Sequence, residues 1–63
     1  MKKYRVLEDN RILLETDDKE HALMMMGISH INRPNYYHEL HEWWNGQYNG
    51  IRQYKPGDKV TRK

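Results

Sequence analysis

Polar and apolar residues alternate at the start of the chain. Tyr4, Val6, Ile12 and Leu14 fall on one face of an antiparallel pair if the connection between them is odd in length, because strand side chains alternate with period two. A three-residue loop, Glu8-Asp9-Asn10, meets that condition, and asparagine tolerates the left-handed backbone that such loops use. The pattern predicts a hairpin over residues 3–8 and 11–16. Leu7 and Leu13 point the other way, so the second face of the hairpin is not purely polar and is open to a cover.

Thr16-Asp17-Asp18-Lys19-Glu20 then reads as a helix start, with Asp17 accepting a backbone N–H and Glu20 at the reciprocal capping position. Ala22, Leu23 and Met26 supply a stripe at helical spacing, and Gly27 is the expected end. Met24 and Met25 widen that stripe, which suits pliable core filling and also a soft contact surface. A second helix is predicted over Pro34 to Trp44. Proline suits a first turn, Tyr36, Leu40, Trp43 and Trp44 recur at helical intervals, and Asn45-Gly46 would stop it. Two short strands, Ile51–Tyr54 and Lys59–Arg62, follow, joined by Lys55-Pro56-Gly57-Asp58 as a type II turn. These elements describe an α+β fold, an N-terminal β-hairpin packed against one or two short helices with a short C-terminal hairpin or strand, in one domain over residues 1–63.

A chain of 63 residues buries only about 60 % of the surface its unfolded form exposes, so its core is modest. It has no cysteine, which removes both a disulfide framework and an ordinary structural zinc site. Met1-Lys2-Lys3 opens like a signal peptide, but Tyr4-Arg5-Val6-Leu7-Glu8 is charged too soon for an apolar segment, and no run reaches membrane-spanning length. A cytoplasmic protein is the expectation. The net charge is only +2, yet residues 46–63 carry five basic groups against Asp58 alone.

Catalytic chemistry finds little support. His38-Glu39-Leu40-His41-Glu42 lacks the metalloprotease spacing, although His38 with His41 or Glu42 would share a helix face; the simpler reading is a solvated face of mixed charge. No nucleophile lies in a recognisable setting and there is no glycine-rich phosphate loop, so no catalytic residue, cofactor or metal is expected. The aromatic residues say more. Five tyrosines and two tryptophans all carry a polar handle, and six of these seven rings lie between Tyr36 and Tyr54. Leu40 and one of Trp43 and Trp44 are expected in the core; adjacent tryptophans on a helix diverge by about 100°, which leaves the other as an anchor.

Two functions follow. The first is a protein-binding modulator that occludes its target, with Tyr36, Tyr37, Trp43, Trp44, Tyr48 and Arg52 as the contact surface. The alternative is a nucleic-acid-binding module in which bases stack on rings and phosphates meet cations along Tyr48, Arg52, Tyr54, Lys55 and Lys59. Either a monomer or a homodimer is compatible, a twofold dimer burying Leu7 and Leu13.

The stretch Tyr4 to Gly27, with strand, tight turn, strand and a helix capped through Thr16-Asp17-Asp18-Lys19-Glu20-His21-Ala22-Leu23, resembles the compact units of many short phage-encoded accessory proteins. That resemblance implies a partner among host proteins, an enzyme such as RNA polymerase, a nuclease or a division protein. Tyr54-Lys55-Pro56-Gly57-Asp58-Lys59-Val60 looks like the turn of small SH3-like barrels, but two predicted helices argue against that fold.

Overall fold

The computed structural model describes residues 1–60. The fold is α+β, with β1 (Tyr4–Glu8), β2 (Arg11–Thr16), α1 (Lys19–Asn32), β3 (His38–Trp44) and β4 (Gln47–Tyr54). The strands form one antiparallel sheet in the order β2-β1-β3-β4. Helix α1 packs across β1, β3 and β2 on one side of it.

The N-terminal hairpin forms where the alternation places it, but with a shorter turn. Asp9 and Asn10 both take positive φ, 47° and 69°, and Glu8 pairs with Arg11, so the loop has two residues. A bulge between Val6 and Leu7 restores the parity of a longer loop: Val6 faces Leu14, while Leu7 faces Ile12. Leu14 therefore joins the helix side, and Ile12 moves to the opposite face beside Leu7.

The helix starts one residue later and ends five residues later than the sequence suggests. Asp18 is the N-cap, its carboxylate accepting from the amides of Glu20 and His21 at 3.0 and 3.3 Å. Asp17 instead accepts the Lys3 amide at 2.9 Å, and that bond, together with the nearby Lys2 amine, holds its carboxyl below the usual aspartate value. Lowering the pH through its folded-state value removes the stability this contact gives above the ordinary aspartate range, about 3.9. Asp18→Ala should cost about 1 kcal/mol, read as a shift in the urea midpoint with loss of protection at the first helical amides. Gly27 does not stop the helix. Ala22, Met26 and His30 are buried at four-residue spacing across it, and that burial outweighs the cost of one interior glycine, about 1 kcal/mol. A Cβ at Gly27 would lie 3.4 Å from Val60 Cγ1, so the glycine admits the returning chain. The helix stops at Arg33 because the residue before Pro34 is pushed out of the helical region.

The predicted second helix is instead strand β3. Its inward positions are His38, Leu40 and Glu42, paired in register with Glu8, Val6 and Tyr4. Two of these three are polar, which hides the alternation, and they are tolerated because they find partners. Glu42 accepts from the Tyr4 hydroxyl at 3.2 Å; burial first, and then this bond, raise the Tyr4 phenol above its ordinary value. Asn45-Gly46, with φ of 54° and 85°, is the two-residue turn into β4 and not a helix stop. A Cβ on Gly46 would meet nothing within 4 Å, so Gly46→Ala should cost the backbone strain alone, about 1–2 kcal/mol, as a lower urea midpoint at unchanged slope.

The expected strand Ile51–Tyr54 is the second half of β4, whereas Lys59 and Val60 are not in a strand; the rest of the segment predicted as Lys59–Arg62 lies outside the described residues. Lys55-Pro56-Gly57-Asp58 does form the type II turn, with Gly57 at φ 88° and the Asp58 amide donating to the Lys55 carbonyl at 2.9 Å. The core contains Tyr4, Val6, Ala22, Met26, Leu40 and Tyr54. Neither tryptophan belongs to it. At one end it is closed by three buried polar side chains, Glu8, His30 and His38.

Candidate functional site

Among the described residues a single helix covers one side of the sheet, and no element packs on the other. The register places the bare face in rows across the strands. Ile12, Leu7, Glu39 and Gln53 form one row, Glu15, Arg5, His41 and Gly50 a second, and Trp43 and Tyr48 a third. The third row is anchored to the N-terminus: the Trp43 amide donates to the Lys3 carbonyl at 2.7 Å, and the Tyr48 hydroxyl to the Lys2 carbonyl at 2.6 Å.

The rings and the guanidinium on this face are fixed relative to one another. Trp43 meets Tyr48 edge-on at 4.9 Å between centroids, and the Arg5 guanidinium lies 3.8 Å from the Tyr48 ring centre. Such contacts contribute about 0.5–1.5 kcal/mol for the ring pair and about 0.5–1 kcal/mol for the cation at an exposed site, enough to hold rotamers without burying them. Arg5 Nε also bonds Glu15 at 2.6 Å, and His41 Nε2 contacts Glu39 at 2.9 Å. The His41 ring rests above Gly50, where an added Cβ would lie 3.7 Å from it, an ordinary contact. The Arg5 charge is thus matched within the face by Glu15, and Glu39 is held by the His41 ring.

The residues singled out from sequence are divided by the fold. Tyr37, Trp43 and Tyr48 share the bare side, where the Tyr37 hydroxyl donates to Gln53. Trp44, one residue on from Trp43, points to the helix side because strand neighbours alternate; it is 67 % exposed, beneath the Lys3 ammonium. Arg52 faces Leu40 on the helix side, and Tyr36 stands in the loop before β3 with the Arg33 guanidinium over its ring. Of the residues proposed for nucleic acid, Tyr48 is on the bare face, Arg52 and buried Tyr54 are on the other, and Lys55 and Lys59 belong to the segment after β4. His38 and His41 sit on opposite faces, so they share no site.

Arg5 has no role in the sequence reading, which weighs His41 only as a helix-face partner of His38 and sets Ile12 on the inner face of the hairpin. Arg5 is marked only by its place between Tyr4 and Val6, which the alternation assigns to the second face with Leu7. His41 becomes visible once residues 38–44 are read as a strand. Beside β4 on the helix side the described residues leave a groove of about 560 Å³, lined by Leu23, Met24, Ile28, Ile31, Tyr54 and Val60 among others.

Among the described residues no helix is long and apolar enough to cross a membrane, and no three acidic or histidine side chains converge as metal ligands. Comparison with protein-family models, with curated proteins and with solved structures found no match.

Proposed function

We propose that this chain is a small protein-binding module that acts by occluding a surface of its partner, and that the bare sheet face is where the partner sits. The observation that carries this reading is the Trp43, Tyr48 and Arg5 stack, flanked by Leu7 and Ile12, on a face whose charges are already paired. Tryptophan, tyrosine and arginine are the residues on which binding energy concentrates, and they do so where partly apolar neighbours exclude water. A face neutralised by its own Glu15 and Glu39 offers little to a polyanion, which favours a protein over a nucleic acid as the occupant. The reading requires no cofactor and no catalysis. The resemblance to phage-encoded accessory proteins points to an enzyme of a bacterial host as the partner.

Capture of the tagged chain from lysate of its natural host, with and without nuclease and at 50 and 300 mM salt, tests this. A stoichiometric protein retained in all four conditions by the wild-type chain and by Arg52→Ala, but lost with Trp43→Ala, is the expected result. Retention that depends on low salt and intact nucleic acid would overturn the reading, because binding through several phosphates weakens steeply over that range.

A further inference from the structure

Glu8, His38 and His30 are 3 %, 0 % and 1 % exposed. They are bonded in series. Glu8 Oε2 lies 3.1 Å from His38 Nε2, His38 Nδ1 lies 2.7 Å from His30 Nδ1, and His30 Nε2 lies 2.9 Å from the Asp58 carbonyl oxygen. Every buried side-chain polar atom among the described residues has a partner, so this chain of bonds is complete.

Its protons can be counted. A carbonyl oxygen only accepts, so His30 Nε2 carries a proton. Two ring nitrogens at 2.7 Å need one proton between them, since two bare nitrogens would set lone pair against lone pair. The link to Glu8 needs a third. An ionised carboxylate with two neutral imidazoles holds only two. The third proton makes either an imidazolium beside a carboxylate or a carboxylic acid donating into two neutral rings, and the count is the same in both. In both, the three groups together are electrically neutral, which suits their burial.

The surroundings come from every element. Arg33 Nε, after α1, lies 3.2 Å from Glu8 Oε2, and the Arg11 guanidinium of β2 lies 3.6 Å from Glu8 Oε1. The Tyr54 ring of β4 stacks on His30 at 5.0 Å. The Asp58 carboxylate is turned away, accepting the Lys55 amide at 2.8 Å.

We propose that this third proton is a latch: it keeps His30 in line between His38 and Asp58, and so ties the segment Lys55–Val60 to α1 as a strap along the rim of the groove beside β4. Among the described residues the strap's other ties are the Gly57 amide, which donates to the Pro34 carbonyl at 2.8 Å, and Val60, which rests against Gly27 and packs on the core cluster. Loss of the proton leaves one link bare: with a proton kept toward the ionised Glu8, either the two Nδ1 atoms face each other without one or His30 Nε2 faces the Asp58 carbonyl without one, and in both cases the line through His30 breaks and the strap lifts to widen the groove over Leu23, Ile28 and Tyr54. This device lies on the helix side and is independent of the binding reading above.

Two measurements on the unsubstituted chain test the proposal. Nitrogen-15 spectra of labelled histidine, taken where the Gly57 amide is protected from exchange, should show a proton shared between the His30 and His38 Nδ1 atoms; both rings as neutral tautomers protonated only at Nε2 would overturn it. Hydrogen exchange should then show the protection factor of Gly57, whose amide bonds Pro34 outside the strap, falling about tenfold per pH unit once opening is coupled to loss of one proton, with β1 and β3 amides better protected throughout. Strap protection that does not change with pH, or that coincides with the strands at every pH, would overturn the latch. His30→Gln, whose amide donates without an extra proton, should retain strap protection at high pH if it folds.

Discussion

Leu40→Ala should remove most of the stability of this domain. Leu40 is 0 % exposed on the inner face of β3, between Val6 of β1 and Arg52 of β4, in the cluster with Ala22 and Met26 of α1. Truncating such a side chain costs about 2–5 kcal/mol, through lost burial and the cavity left behind. A chain of this size has about 3–9 kcal/mol in total. Thermal unfolding followed by circular dichroism should shift down by about 4–8 °C for each kcal/mol lost, so the variant should be partly unfolded well below the wild-type midpoint. Ile51→Ala provides the contrast: Ile51 is the unpaired residue of the β4 bulge and is 43 % exposed, so its loss should stay within about 0.5 kcal/mol. A Leu40→Ala cost below 1 kcal/mol would mean that the core lies elsewhere.

Trp43→Ala should do the reverse, sparing the fold and abolishing binding. The Trp43 ring is only half-buried, against Tyr48 on the bare face, so its removal should cost stability about 1 kcal/mol. As the anchor of an interface it should cost binding about 2–4 kcal/mol, a loss of roughly 30-fold to 1,000-fold in affinity. Trp44→Ala should leave both nearly unchanged, because that ring projects from the helix side near the β3–β4 turn. Calorimetric titration of the captured partner against the three proteins measures the difference. Equal losses from Trp43→Ala and Trp44→Ala would remove the bare face from the mechanism.

The N-terminal half of the fold is legible in the sequence because its polar and apolar positions obey one period at a time. Tyr4, Val6 and Leu14 mark the inner face, Glu8-Asp9-Asn10 the turn, and Thr16 to Glu20 with Ala22 and Met26 the helix, although the loop proves one residue shorter, the cap is Asp18 and not Asp17, and Ile12 lies on the other face. The second half is obscured by chemistry inside the core. His38 and Glu42 occupy inward positions that a half-buried strand normally gives to apolar residues, and their partners Glu8, His30 and Tyr4 are distant in sequence. With the alternation hidden, Tyr36, Leu40, Trp43 and Trp44 mimic a helical repeat, and Asn45-Gly46 serves equally as helix stop or hairpin turn. One error of period therefore misplaced the aromatic surface. The sequence offers Trp43 and Tyr48 as contact candidates, but their grouping with Arg5 and Leu7 depends on the pairing of β1 with β3, which no local pattern reveals. Leu7 was the available clue, an apolar residue on the wrong side of a hairpin.

The central claim is that the partner covers the bare sheet face, and its most direct test is an amide and side-chain NMR footprint of the captured partner on the labelled chain. Signals of Arg5, Leu7, His41, Trp43 and Tyr48 should broaden or shift together while those of Met24, Ile28 and Ile31, which line the groove on the helix side, stay in place. A footprint centred on α1 and the groove beside β4, with the Trp43 indole unmoved, would contradict it.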